Sequence, residues 1–277
     1  MSNKGMTGKG MTGKRVIVTG ANGTFGRLLT RRFTGAGATV VGIDLTAAPG
    51  VLACDLTTTA VAGVVERAVA ELGGLDLLVN NAGVGGPAPA ELAPDTVVKR
   101  QLEVNLLAAW RTTAAALPAL EAGRGRVVFV ASRMAVLPLP LAAAYGVSKR
   151  ALVAYADALR LEVGSHVGVS VVYPSMVASP IHDSTAAAGL SLDGVSRYEP
   201  AEGVVDAIVR AATARRAPRA VATTARGRLE MAIARHFPSL ADLLVRRTVR
   251  SRLAAGAFDG APLAAGMRRR YGGPTNG

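Results

Sequence analysis

"VIVTGANGTFG", residues 16–26, runs from a short apolar stretch into a turn with glycines at 20, 23 and 26, and on into Leu28 and Leu29. An apolar run of β type that breaks at glycines and resumes with helical spacing reads as strand, turn and helix. At such a turn the N–H groups of the helix start can meet a pyrophosphate. Gly20 suits the sharp turn, and Gly26 the close contact of helix on strand. The usual dinucleotide fingerprint sets its first two glycines two apart, and this turn does not. The rest of the chain therefore decides the reading.

Outward from that turn, strands and helices alternate. Strands are expected at Val16–Thr19, Thr39–Asp44, Val51–Asp55, Leu75–Asn80, Arg126–Ala131, Val167–Tyr173 and Arg219–Thr223. Helices are expected at Phe25–Gly35, Ala60–Leu72, Asp95–Leu117 (with Pro118 helping to end it), Ala142–Val163 and Glu202–Ala214. Strict alternation predicts an α/β fold with a doubly wound parallel sheet. Near-continuous Val, Ile and Leu in the strands predict burial on both faces. In that architecture ligands bind beyond the carboxyl ends of the strands. The residues at those ends are polar or small: the glycine turn, Asp44, Asp55, "NNAG" at 80–83, Ser132 and "YPSMVASP" at 173–180.

Asp44 follows Gly20 by 24 positions, where an acid accepts the adenosine ribose hydroxyls and repels a 2′-phosphate. No Lys or Arg follows it closely, which favours NAD over NADP. "YGVSK" sets Tyr145 and Lys149 four apart, on one helix face. Tyrosine is a poor base near neutrality, and a neighbouring Lys⁺ favours its phenolate. Ser132, thirteen residues before Tyr145, offers a hydroxyl to a carbonyl or alcohol oxygen.

With these motifs in this order, the chain from about 14 to about 223 resembles the short-chain dehydrogenase/reductase family. The resemblance implies a Rossmann-like sheet of about seven strands and hydride transfer between a secondary alcohol or ketone and nicotinamide. It implies Tyr145 as general acid/base and Ser132 as the group polarising the substrate oxygen. Lys149 would hold the nicotinamide ribose and lower the Tyr145 pKa, and Asn105 would hold a relay water beside Lys149. It places Gly20, Asn22, Gly23, Thr24, Phe25 and Gly26 at the pyrophosphate, and Asp55 and Leu56 at adenine. Asn81, Ala82 and Gly83 would line the ribose, and Asn80 would brace the sheet. Pro174, Val177 and Ser179 would face the nicotinamide. A homodimer or homotetramer through the helices 95–117 and 142–163 is implied too.

Two positions depart from the compact branch of that family. Thr24 stands where TGxxxGxG has a glycine, giving TGxxGxxG, the spacing of a longer branch with epimerases and dehydratases that use NAD transiently. Ser175 replaces the Gly of "PG", which is expected to stiffen the loop after the sixth strand. A non-catalytic dinucleotide sensor is a third reading, and one with no need of Ser132, Tyr145, Lys149 and Asn105 together.

Composition bounds the rest. The 277 residues carry a net charge of +13, concentrated in the segment after Arg210. Nucleic acid is disfavoured as a partner, since the tail has few aromatics for stacking bases. The single cysteine, Cys54, fits a reducing cytoplasm and rules out an internal disulfide. No metal site and no membrane span are expected. "GMTGK" occurs twice, at 5–9 and 10–14, and residues 1–13 are expected to be a disordered extension. Residues 14–224 form the expected NAD-binding and catalytic domain, with a lid over 180–200 that carries His182. Met134, Val136 and Leu137 suggest a small hydrophobic alcohol or ketone as substrate. Residues 225–277 form a basic helical extension. Within it, "SLADLLVRRTVRSRL" has Ser239 as expected N-cap and Leu240, Leu243 and Leu244 as an apolar stripe. Packing against protein, over the substrate cleft or against a neighbouring subunit, is the favoured use of that stripe, with peripheral membrane contact second.

Overall fold

The structure is a computed structural model that describes residues 10–190 and 198–271. Seven parallel strands form one sheet in the order β3-β2-β1-β4-β5-β6-β7. They are β1 Arg15–Thr19, β2 Thr39–Asp44, β3 Val51–Ala53, β4 Leu77–Asn80, β5 Arg126–Val130, β6 Gly168–Tyr173 and β7 Ala220–Ala222. The order reverses between β1 and β4, so the crevice for ligands opens there, above the glycine turn.

Helices cover both faces. One face carries α2 (Val61–Leu72), α4 (Ala108–Ala122) and α5 (Ala143–Val163), packed on Ile17, Leu78 and Phe129, with α3 (Thr96–Leu102) against α5. The other carries α1 (Thr24–Gly35) and α7 (Ala201–Thr213), packed on Val16, Val79 and Val172. The lid region holds a short α6 (Asp183–Ala187). The extension folds as α8 (Ala225–His236), α9 (Pro238–Ala254) and α10 (Ala265–Tyr271). It builds a third, small core in which Val249, Phe258 and Met267 meet Leu190 and Leu141.

Four local expectations are corrected. The helix expected at 95–117 is broken by a π turn at Glu103–Leu107, between α3 and α4. Pro118 lies inside α4, which runs on to Ala122. Pro118 and Ala114, four residues back, are both exposed, so water can take the carbonyl that proline leaves without a donor. Phe237, not Ser239, occupies the N-cap of α9, because Pro238 takes the first helical position, where its missing N–H costs nothing. Residues 10–13 are packed against the body: Met11 is buried with Phe33, and Gly13 N donates to Gly37 O at 2.8 Å. Residues 1–9 of that extension, residues 191–197 of the lid and the His182 side chain lie outside the described residues.

Candidate active site

The switch between β1 and β4 is built to leave a helix start open. Gly20 has φ +66, and a Cβ there would come 2.9 Å from Ala82 Cα. At Gly26 a Cβ would stand 2.1 Å from Gly20 O, so only hydrogen fits where α1 packs on the turn. Gly23 is the N-cap of α1, no side chain caps the helix, and its first turn holds no acid. Its N–H groups thus present partial positive charge to the cleft, a donor set suited to phosphate. The turn is tied to "NNAG": Asn81 Nδ2 donates to Thr19 O at 3.0 Å and Gly20 O at 3.2 Å, and Ala82 N donates to Thr19 Oγ1 at 3.1 Å. Asn80 Nδ2 reaches Thr113 Oγ1 on α4 at 2.9 Å and braces the sheet as expected.

Asp44 does two things at once. Its Oδ2 accepts from Asn22 N at 2.8 Å and its Oδ1 from Leu45 N at 2.7 Å, which holds the glycine turn against the end of β2. The same carboxylate lines the cleft and keeps lone pairs for ribose hydroxyls. Asp55 accepts from Thr57 N at 2.9 Å and Thr57 Oγ1 at 2.7 Å, and these bonds hold its pKa below the usual value.

Across the cleft stand Ser132, Tyr145 and Lys149. Ser132 closes β5, and its Oγ accepts from Met134 N at 3.2 Å. Tyr145 is in the first turn of α5, half-buried and hydrogen-bonded to the Ser132 hydroxyl. Burial pushes its phenol up to about 12, and the Ser132 bond pulls the other way. Lys149 is buried one turn on; its Nζ lies 5.9 Å from the Tyr145 ring centre and donates to Val130 O at 2.9 Å. Burial brings its ammonium down to about 8. The expected lowering of the Tyr145 pKa by Lys149 is therefore not what this cleft does by itself. Desolvation acts on both groups and favours both neutral forms.

Asn105 is the remaining member of the expected set. It sits in the π turn, 1% exposed and outside the cleft lining. Its Nδ2 donates to Val84 O and Ser148 Oγ, both at 2.9 Å, and its Oδ1 accepts from Val84 N at 2.8 Å. Both amide donors are engaged by protein and Oδ1 keeps one lone pair, so this side chain braces the loop and can still accept from a water. It does approach Lys149: a Cβ on Gly83 would be 3.2 Å from both Asn105 Oδ1 and Lys149 Nζ.

The residues expected at the site, except Asn80, Asn105 and Gly26, line one cleft of about 1880 Å³. Gly26 lies beneath the turn, where it sets the helix position. Met134, Leu137, Leu139 and Leu141 line the substrate side, whereas Val136 packs into the core. The far wall includes Ile233 of α8, Ala241, Val245 and Val249 of α9, and Phe258; the sequence offers the tail as a cover for the cleft without singling out these residues. Sequence reasoning missed Ser148, inside the quoted "YGVSK", which donates to Tyr145 O at 2.9 Å and joins α5 to the π turn. Arg133, next to Ser132, forms an ion pair with Glu230 of α8, and Glu230 also holds Arg226 at 2.8 Å. The loop after β6 is tied by Ser175 N donating to Glu199 Oε1 at 2.6 Å, through backbone and not through the serine hydroxyl.

Comparison with known proteins agrees with this geometry. The family model described as short chain dehydrogenase matches residues 14–188. The chain is 31% identical over 167 residues to a 3-ketodihydrosphingosine reductase of Bacteroides thetaiotaomicron, covering 57% of this chain and 62% of that protein. It is 33% identical over 216 residues to dehydrogenase/reductase SDR family member 7B of Bos taurus, covering 69% and 63%. The matches thus span less than two thirds of these relatives' own lengths. A solved structure, 3-ketoacyl-(acyl-carrier-protein) reductase from Brucella melitensis complexed with NADH, superposes with a TM-score of 0.67 at 25% identity, covering 76% of this chain and 97% of that one.

Proposed function

Because the chain belongs to the short-chain dehydrogenase/reductase family of NAD(P)(H)-using oxidoreductases, we propose that it interconverts a hydrophobic secondary alcohol and its ketone with NAD(H). The observation that carries this reading is the convergence of Ser132, Tyr145 and Lys149 on a cleft whose opposite wall sets Ile233, Val245, Val249 and Phe258 among charged residues of α8 and α9. The volume of about 1880 Å³ far exceeds the ~300–1,000 Å³ that one small ligand occupies, which leaves room for a dinucleotide and a sizeable second molecule.

The open start of α1, with Asn22, Gly23, Thr24 and Phe25, holds the pyrophosphate. Asp44 accepts the adenosine ribose hydroxyls, and its charge selects NAD over NADP. Asp55 and Leu56 meet adenine; Asn81, Ala82 and Gly83 meet ribose; Pro174, Val177 and Ser179 meet the carboxamide end. When bound, the nicotinamide supplies or takes the hydride. Ser132 donates a hydrogen bond to the substrate oxygen and fixes its position. In reduction Tyr145 gives its phenolic proton to that oxygen; in oxidation it takes the proton back. A phenol held near 12 is a poor base, so oxidation needs the phenolate favoured by added positive charge. Lys149 supplies it with the oxidised nicotinamide. At about 8, the Lys149 ammonium also exchanges protons readily near neutral pH. We assign the relay water to Asn105 in the π turn, through its backbone or the remaining lone pair of Oδ1. Buried, free Cys54 fits the reducing cytoplasm, where we place the enzyme.

The test follows nicotinamide absorbance while hydrophobic secondary alcohols meet NAD⁺ and the matching ketones meet NADH. Tyr145→Phe is expected to lower kcat/KM by about 10³-fold, the general acid/base contribution, while NADH binding persists. Oxidation should rise with pH through the neutral range. Undiminished turnover in Tyr145→Phe would overturn the assignment. Conversion of substrate with no net absorbance change would indicate transient cofactor use, and tighter binding of NADPH than NADH would overturn the role of Asp44.

A further inference from the structure

The first half of α9 is apolar on two sides. Its inward side, Ala241, Val245 and Val249, walls the cleft. Its outward side, Leu240, Leu243 and Leu244, is 44%, 45% and 47% exposed, and Phe237 just before it is 63% exposed. A helix that presents leucines away from its own protein needs a second apolar environment. Of the stripe that the sequence sets against protein, Leu244 lines the cleft, and Leu240 and Leu243 face outward with no cover from the described residues of this chain.

Charge says what that environment is. From Ala225 to Ala254 there are seven arginines and two acids, Glu230 and Asp242. Glu230 is already engaged by Arg133 and Arg226. Arg246, Arg247 and Arg250 are exposed on the turns after the leucines, and Arg228 and Arg235 are exposed on α8. A two-fold contact with a second copy would set arginine against arginine. A surface of anionic headgroups over hydrocarbon satisfies both features: headgroups take the arginines, and the acyl boundary takes Phe237 and the leucines. No helix among the described residues is long and apolar enough to cross a membrane, so the contact lies on the bilayer surface.

We propose that the outward side of α9, with Phe237, docks on an anionic lipid surface and turns the cleft mouth toward it. Leu244 and Arg247 tie the two together, being exposed on that side and also part of the cleft lining. An apolar substrate held in the bilayer then reaches the cleft without crossing water.

The test is co-flotation of the full chain with vesicles of phosphatidylcholine alone and of phosphatidylcholine with phosphatidylserine. Binding is expected only with phosphatidylserine, and is expected to weaken as salt rises. Phe237→Ser/Leu240→Ser/Leu243→Ser, none of which lines the cleft, should weaken binding at least tenfold with unchanged thermal unfolding. Arg246→Gln/Arg250→Gln, a surface change, should weaken it in the same direction. Absence of binding to phosphatidylserine vesicles overturns the proposal. So does undiminished binding by both variants, or a self-associated chain that the serine variant makes monomeric without any vesicle binding. The readout uses no turnover, so its failure is distinct from failure of the hydride-transfer reading.

Discussion

Lys149 is held in a state that folding alone disfavours. Its ammonium is buried, with Val130 O as hydrogen-bond acceptor, and its pKa falls from 10.5 to about 8. The fold therefore bears a cost that is full below pH 8 and fades as the unfolded chain's lysine also loses its proton, toward 10.5. At ~1.4 kcal/mol per unit, that is a cost of about 3 kcal/mol at most. Denaturant unfolding of the unsubstituted protein and Lys149→Met at pH 7 and at pH 10 should show the unsubstituted protein gaining on the variant by up to about 3 kcal/mol with rising pH; a gap moving the other way would contradict this. The identities of Ser132, Tyr145 and Lys149 could be read from spacing, since thirteen and four residues are local distances on a strand-turn-helix frame. The direction of the Tyr145 shift could not. It depends on walls contributed by chain far from residue 145, and burial is a property of the assembled cleft.

At the scale of elements, the interruption between α3 and α4 and the seating of α8 both serve the site. The π turn brings Asn105 to Val84 and Ser148, which locks the loop after β4 to the start of α5. Hydrophobic periodicity over 95–117 gives a helix, and it carries no sign of an extra residue in one turn, because the cause is a tertiary set of hydrogen bonds. The ends of β2 were legible to the residue, since glycine and aspartate bound an apolar run. The tail helices were legible as helices, and their place beside the cleft only as one alternative among several. Glu230 fixes that place through Arg133, adjacent to Ser132. Both side chains are mostly buried, so Glu230→Ala removes this ion pair and should cost about 1–3 kcal/mol in unfolding free energy. The same change should raise KM for the ketone several-fold and leave NADH affinity unaltered, because α8 walls only the substrate side. Calorimetric binding of NADH beside steady-state kinetics checks this; equal loss on both sides would mean that α8 supports the whole cleft.

Across the whole molecule, the sheet faces bury two cores, and one outer flank stays apolar. On α5, Val147 and Leu161 are 57% and 84% exposed, and Ala154 and Ala158 lie exposed between them at helical spacing. Trp110 on α4, 50% exposed, stacks on Tyr155 with ring centres 4.3 Å apart. Members of this family are commonly oligomeric, and this flank suits a partner copy across α4 and α5. Light scattering should give a dimer or tetramer for the unsubstituted chain and a monomer for Val147→Glu/Leu161→Glu; a monomer in both would remove the flank from consideration. The third core has a different bearing. Leu190 from the lid side, Leu141 from the segment before α5, and Val249, Phe258 and Met267 from the extension pack with one another, apart from the two cores that carry the sheet. Substitutions there can reshape what the cleft admits while the strands and the glycine turn keep their positions. Selection can thus vary the choice of substrate on one stability reserve and preserve the hydride chemistry on another.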